Sequence, residues 1–325
     1  MTPANGEGRP ALIAGLACYG LWGVAPLAFQ AMGREGADAW EIMAHRSMWA
    51  VFWAAILVWL ARQTPEALRV FRQPRTMLLL AASTGFIAVN WSLFVWAVNN
   101  GRTLDTSLGY YINPLLNMAA GAVFFRERID RIGMLAIAAA AVGVVLQGFA
   151  LGHLPWISLI LGFSFATYGV IRKQISVDAQ TGLFVECLYL FLPALGFLLW
   201  LHAQGGGHFF DDAGSMFWLA AAGPITVAPL ALFAWAARRM PLSTMGFLQF
   251  IAPTISFTIG VSQGEPLSAL RIASFVFIWS GAAIYAWSAL RKLRAGRAEE
   301  APCEPVVPCE PGLPEDGVEA RAARP

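Results

Sequence analysis

Apolar residues run along this chain in ten long blocks separated by short polar stretches, near 11–32, 38–61, 76–98, 103–125, 132–151, 154–171, 180–201, 215–237, 242–262 and 268–290. A helix rises about 1.5 Å per residue, so roughly 20 apolar residues cross about 30 Å of hydrocarbon. The pattern therefore predicts ten transmembrane helices. A transmembrane β-barrel would show short alternating segments, and the Ala-rich stretch from Leu135 to Val145 alternates nothing. The predicted fold class is an all-α polytopic membrane protein.

Composition agrees with the pattern. Of 325 residues, 58% are hydrophobic and 13% charged, whereas a soluble domain carries about 25% charged residues. An ordinary soluble enzyme is excluded. The net charge of +2, from 22 Lys+Arg and 20 Asp+Glu, lacks the clustered basic face of a nucleic-acid binder. Cys18, Cys187, Cys303 and Cys309 are too scattered for a disulfide framework or a zinc ribbon. No metal or cofactor is implied.

Short loops allow the cations to be assigned to sides. The N-terminus and alternate loops hold Arg9, then Arg62, Arg69, Arg72 and Arg75, then Arg126, Arg128 and Arg131, then Arg172 and Lys173, then Arg238 and Arg239, with Arg291, Lys292, Arg294 and Arg297 after the last block. The opposite loops hold Arg34, Arg102 and Arg271. By the positive-inside rule both termini are cytoplasmic. The first block has no small-residue cleavage site and reads as a retained helix, not a signal peptide. Residues 1–10 form a short N-terminus, and 292–325 an acidic, Pro-rich tail expected to be disordered.

The chain also repeats itself. Leu93-Phe94-Val95-Trp96-Ala97 returns as Leu232-Phe233-Ala234-Trp235-Ala236, and Tyr111-Ile112-Asn113-Pro114 as Phe250-Ile251-Ala252-Pro253, both at an offset of 139. Near an offset of 140, Asp38 and Arg46 meet Asp178 and Glu186. Residues 11–151 and 152–291 are thus two five-helix repeats. An odd number of crossings inverts the second copy. Inverted repeats in the membrane plane characterise secondary transporters, which bind substrate near the midplane where helices are broken. Pro114 and Pro253 each fall about eleven residues into their spans, roughly 16 Å deep by helix rise, and read either as helix breaks lining a cavity or as packing kinks.

Ionisable groups inside hydrocarbon are costly and are functional candidates. Arg46 and His45 in the second span and Glu186 in the seventh are candidates for gating or charge coupling. Arg46 and Glu186 are expected in opposite thirds of the membrane, which argues against a direct salt bridge and leaves local pairing, gating or a charged substrate. Glu41, nearer the interface, reads as solvated or snorkelling. Asn90, Trp91, Tyr110, Tyr111, Asn113 and Gln249 supply amides, phenols and an indole for a small polar or amphipathic substrate. Their alternative reading is interhelical hydrogen bonding, or for Trp96 and Asn99 an interfacial belt.

Catalytic chemistry is absent from the pattern. There is no G-x-x-x-x-G-K-[ST] phosphate loop and no H-E-x-x-H, and both lysines, Lys173 and Lys292, sit at span ends. A passive channel would need rings of polar or charged residues, and an enzyme acting on a lipid carrier would need a converging nucleophile, base and metal; both remain alternatives to a transporter.

Several strings resemble the drug/metabolite transporter superfamily with its EamA-type domains, and in detail its RarD subfamily, whose traditional label is chloramphenicol-sensitive protein. They are Ala44-His45-Arg46, Asn90-Trp91, Trp96-Ala97-Val98-Asn99-Asn100, Ser107 through Leu115, Phe165-Ala166 with Tyr168-Gly169, Arg172-Lys173, Ala179-Gln180-Thr181-Gly182 and Leu242-Ser243-Thr244 through Gly246-Phe247-Leu248-Gln249-Phe250. The resemblance covers most of residues 11–291. It implies a bacterial inner-membrane permease that moves a small-molecule substrate across the lipid bilayer by alternating access, with spans three, four, eight and nine around a central cavity. Related members often work outward, so export is expected. Small-residue faces permit a homodimer, although packing within one chain explains them, and a monomer suffices for transport.

Overall fold

The computed structural model describes residues 8–125, 131–237, 239, 245 and 248–299. Every element among them is helical: α1 Gly8–Arg34, α2 Ala39–Leu60, α3 Thr64–Val70, α4 Pro74–Asn99, α5 Thr103–Phe125, α6 Arg131–Leu151, α7 Trp156–Lys173, α8 Ala179–Ala203, α9 Ala213–Ala237, α10 Ile251–Ser262 and α11 Ala269–Glu299. Six of them, α1, α2, α4, α6, α8 and α9, are long and apolar enough to cross a membrane.

Polar signals set the boundaries. Asp38 caps α2, its Oδ1 accepting from Glu41 N at 2.7 Å, which satisfies one of the free amides of the first turn. Asp178 holds the corresponding place before α8, where its Oδ2 instead accepts from Gln63 Nε2 at 2.7 Å. Helix α3 lies in what the sequence pattern leaves as a loop. Pro65 starts it and Pro74 starts α4, each placing a missing amide where no intrahelical partner exists.

Ridge-to-groove packing brings together α2 with α8 and α9, α1 with α9 and α10, α4 with α7 and α8, α5 with α7 and α10, and α6 with α11. The α6–α11 contact depends on two glycines. A Cβ on Gly143 would sit 2.8 Å from the Ser274 carbonyl oxygen and against the Ile278 side chain, and one on Gly281 would sit 2.7 Å from the carbonyl oxygen of Ala136, so the two helices approach closely at both glycines. The outward surface is apolar, with Leu78, Phe149 and Leu192 each more than 70% exposed.

Two differences from the sequence pattern concern helix ends. In the ninth block, 242–262, a turn at Gln249 and Phe250 separates the helical Met245 and Leu248 from α10; residues 240–244, 246 and 247 lie outside the described residues. Helix α11 runs to Glu299, past the expected end near 290, while the remaining tail with Cys303 and Cys309 lies outside the described residues.

Candidate functional site

Three buried carboxylates dominate the polar interior of the described residues: Glu41, Asp105 and Glu186, each no more than 5% exposed. Glu186 on α8 accepts from Ser83 Oγ of α4 at 2.7 Å and from Tyr168 OH of α7 at 3.2 Å, and faces Arg172 Nε of α7 at 3.7 Å. Arg172 reaches it across Gly182, where a Cβ would collide with the guanidinium. Four residues separate Gly182 from Glu186, one helical turn, so the gap and the carboxylate share a face.

Glu41, expected to be solvated, is 1% exposed. The loop between α8 and α9 folds back over it, and Glu41 Oε1 accepts from His208 N at 2.7 Å while Oε2 lies 2.8 Å from His208 Nδ1. The hydrogen bond to Glu41 raises the His208 pKa above the ordinary imidazole value; burial opposes this, and Asp211 and Asp38 add to it. Next along the loop, Phe209 stacks on the His45 ring with centroids 4.9 Å apart and planes inclined by 16°. Asp105 at the start of α5 pairs with Arg271 at the start of α11 at 2.7 Å, with both side chains under 9% exposed. Glu265 closes the same corner, accepting from Thr103 N at 2.6 Å and Leu104 N at 2.9 Å.

Arg46 is different. It is 8% exposed, its Cζ lies 4.1 Å from the Trp91 ring centroid and 5.3 Å from that of Phe29, and its buried Nε has no hydrogen-bond partner. Cation–π contacts contribute about 0.5–2 kcal/mol, whereas a charge at the centre of a span costs about 2.5–3.5 kcal/mol on insertion scales. The rings alone do not offset the burial.

The other expected site residues divide into two groups. Asn90 is a hub: Nδ2 donates to Leu161 O at 2.8 Å and to Ser164 Oγ at 3.0 Å, and Oδ1 accepts from Tyr110 OH at 3.0 Å. Its two donors are committed to joining α4 to α7. Tyr110 packs with Phe94 and Phe165, at centroid distances of 5.6 and 6.3 Å, and Phe94 with Phe29 at 6.1 Å. Asn90, Trp91, Tyr110 and Arg46 are thus linked through one aromatic wall. Tyr111 points elsewhere, its OH 2.6 Å from Thr254 Oγ1 of α10 and its ring among Phe250, Phe275 and Trp279. Asn113 is 1% exposed, with an unpartnered Oδ1, and Gln249 is half-buried just before α10. Pro114 lies inside the continuous helix α5, whereas Pro253 falls in the first turn of α10, where its missing amide removes no intrahelical bond. Ser107 Oγ donates to the Pro253 carbonyl at 2.7 Å and ties α5 to α10 there.

A vestibule of about 770 Å³ opens among the ends of α1, α2, α4 and α10, lined by Gln30, Arg34, Trp96, Asn99 and Gln263 with their neighbours. Trp96 and Asn99, the belt candidates, line it, and none of the six expected substrate residues does. Gln30 and Gln263 exchange reciprocal amide hydrogen bonds of 3.0 and 2.7 Å across it. The sequence reading missed His208, Phe209, Asp105, Arg271, Gln30 and Gln263. Asp105, three residues into a predicted span, was the available signal for one of them.

An apolar-faced helical bundle with charges and amides buried between its helices is that of a polytopic membrane protein. The chain is a member of the EamA-type drug/metabolite transporters, in the RarD subfamily. Residues 9–149 match the EamA-like transporter family. The chain is 40% identical over 306 residues to "Protein RarD" of Streptomyces exfoliatus, covering 94% of this chain and 96% of that one. It is 40% identical over 284 residues to "Protein RarD" of Escherichia coli (strain K12), covering 87% and 95%. It is 37% identical over 303 residues to an "Uncharacterized transporter" of Vibrio cholerae, covering 91% and 98%. Of these relatives, the one from Vibrio cholerae is named a transporter. A solved crystal structure, 20% identical, shares the fold with a TM-score of 0.56, covering 87% of this chain and 98% of its own.

Proposed function

We propose that the chain is a secondary active transporter that exports a small metabolite or drug-like molecule by alternating access, built as ten spans in two inverted five-helix repeats, 11–151 and 152–291. The observation that carries the reading is an exchange symmetry in the packing. Swapping α1, α2, α4, α5 and α6 with α7, α8, α9, α10 and α11 turns the α1–α9 contact into α7–α4, α1–α10 into α7–α5 and α2–α9 into α8–α4. The contacts α2–α8, α5–α10 and α6–α11 map onto themselves. Two related halves that meet through exchanged helices can rock against each other around a site at their interface.

In this reading the basic loops face the cytoplasm with both termini, in a bacterial inner membrane, and the vestibule faces outward. Trp91, Tyr110, Asn113 and Gln249 with Asn90 surround the path, and Pro253 marks a helix break, while Pro114 sits inside the continuous helix α5. Glu186, held between α4, α7 and α8, and His45 beneath the α8–α9 loop serve coupling and gating. One chain contains all of these parts.

The test is counterflow in proteoliposomes preloaded with amino acids, nucleosides and amphenicol-like drugs. Saturable, protein-dependent accumulation of a labelled compound is the expected result. Leakage down gradients without counterflow contradicts the reading and favours a channel.

A further inference from the structure

Among the described residues the buried charges do not balance. Glu41 is held by His208, Asp105 by Arg271 and Glu186 by Arg172. Arg46 is left over: among the described residues no carboxylate pairs with it, and its buried Nε has no hydrogen-bond partner. It is the eighth residue of α2, and its Cζ lies over the Trp91 and Phe29 rings. Ring contacts use none of a guanidinium's N–H donors and leave them for a planar acceptor. A partnerless cation would be expelled to water or neutralised, so its retention in the interior calls for an anion that comes and goes.

We infer that Arg46 is the receptor for the carboxylate of the transported solute, and that the substrate class is small organic acids with a flat apolar body. The apolar part of the preference rests on the ring series from Trp91 and Phe29 through Phe94 to Tyr110 and Phe165, which continues from the guanidinium as one wall. For the steps after binding, the inference rests on the carrier reading. Of the roles the sequence pattern leaves to Arg46, local pairing, gating or coupling, and a charged substrate, it selects the last.

The test uses matched acids and amides on the purified full-length chain: benzoate with benzamide, indole-3-acetate with indole-3-acetamide and 3-phenylpropionate with its amide. Thermal stabilisation in a zwitterionic detergent reads binding, and counterflow in phosphatidylcholine vesicles reads transport, so no anionic headgroup competes. The expected result is an apparent affinity for at least one acid about tenfold or more above its amide, the factor for losing one charge-assisted hydrogen bond in a buried site. That preference disappears in Arg46→Gln, in which each acid and its amide bind with the same affinity. Arg46→Lys keeps the charge without the planar fork and retains a weakened preference, which carries the test if Arg46→Gln does not fold. Equal response to acids and amides, a preference that survives Arg46→Gln, or no stabilisation by any acid overturns the inference. Acid binding that depends on Arg46 without counterflow contradicts the carrier reading and upholds the anion site; counterflow of amides with no acid preference does the reverse.

Discussion

Glu186 keeps three protein partners within an apolar bundle, and only one of them, Arg172, carries charge. Glu186→Gln preserves the size of the side chain and its capacity to accept from Ser83 while removing the charge that faces Arg172. Membrane insertion is expected to be unchanged, with an altered rate of flux and a flattened dependence of flux on pH; flux identical to wild type at every pH would remove Glu186 from the mechanism. Asp105 and Arg271 offer a contrast, because both are buried and each is the other's counter-charge. Removing one member of such a pair strands the other, at a cost of about 3–5 kcal/mol, whereas replacing both by apolar groups is often neutral. Asp105→Ala alone is therefore expected to lower the thermal midpoint in detergent strongly, and Asp105→Ala with Arg271→Leu to recover most of it. A double variant as unstable as the single would show that the pair is not the source of the loss.

At the scale of elements, the loop between α8 and α9 is attached to α2 through His208 on Glu41 and Phe209 on His45. The raised His208 pKa sets the direction of its pH response. Below the ordinary imidazole range the ion pair contributes in full, and the contribution is lost as pH rises through the raised folded value. Protection of the amides of residues 204–212, their exchange rates divided by the intrinsic rate at each pH, is expected to be higher near about pH 5.5 than near about pH 8.5, with His208→Gln removing most of the difference. Equal protection at both pH values in the wild type would contradict the latch. The elements themselves were largely legible: a helix occupies each of the ten apolar blocks. Helix α3 was not, because seven residues with Glu66 and Arg69 carry too little apolar periodicity to stand out from a loop.

For the whole molecule, Tyr111 and Phe250, which hold matching places in the strings at an offset of 139, stack at 6.4 Å where α5 lies on α10, a contact that the strings themselves do not specify. The site was legible only in part. Asn90, Trp91, Tyr110 and Arg46 come together because each is a costly polar or aromatic group in a span, and cost is visible in sequence. His208 on Glu41, and Gln30 on Gln263 across a separation of 233 residues, join loops or helix ends that read as solvated when taken one at a time. Their partners are set by tertiary adjacency, which hydropathy does not encode.

In the proposed alternating access the vestibule closes and reopens, with α1 and α10 at its rim moving relative to each other. The reciprocal amides of Gln30 and Gln263 mark where those helices meet. The most direct measurement is counterflow by a Gln30→Cys, Gln263→Cys protein, with the native cysteines replaced by serine, before and after a short thiol crosslink. The account predicts that the crosslink abolishes counterflow and that its reduction restores it. Undiminished counterflow in fully crosslinked protein would contradict it.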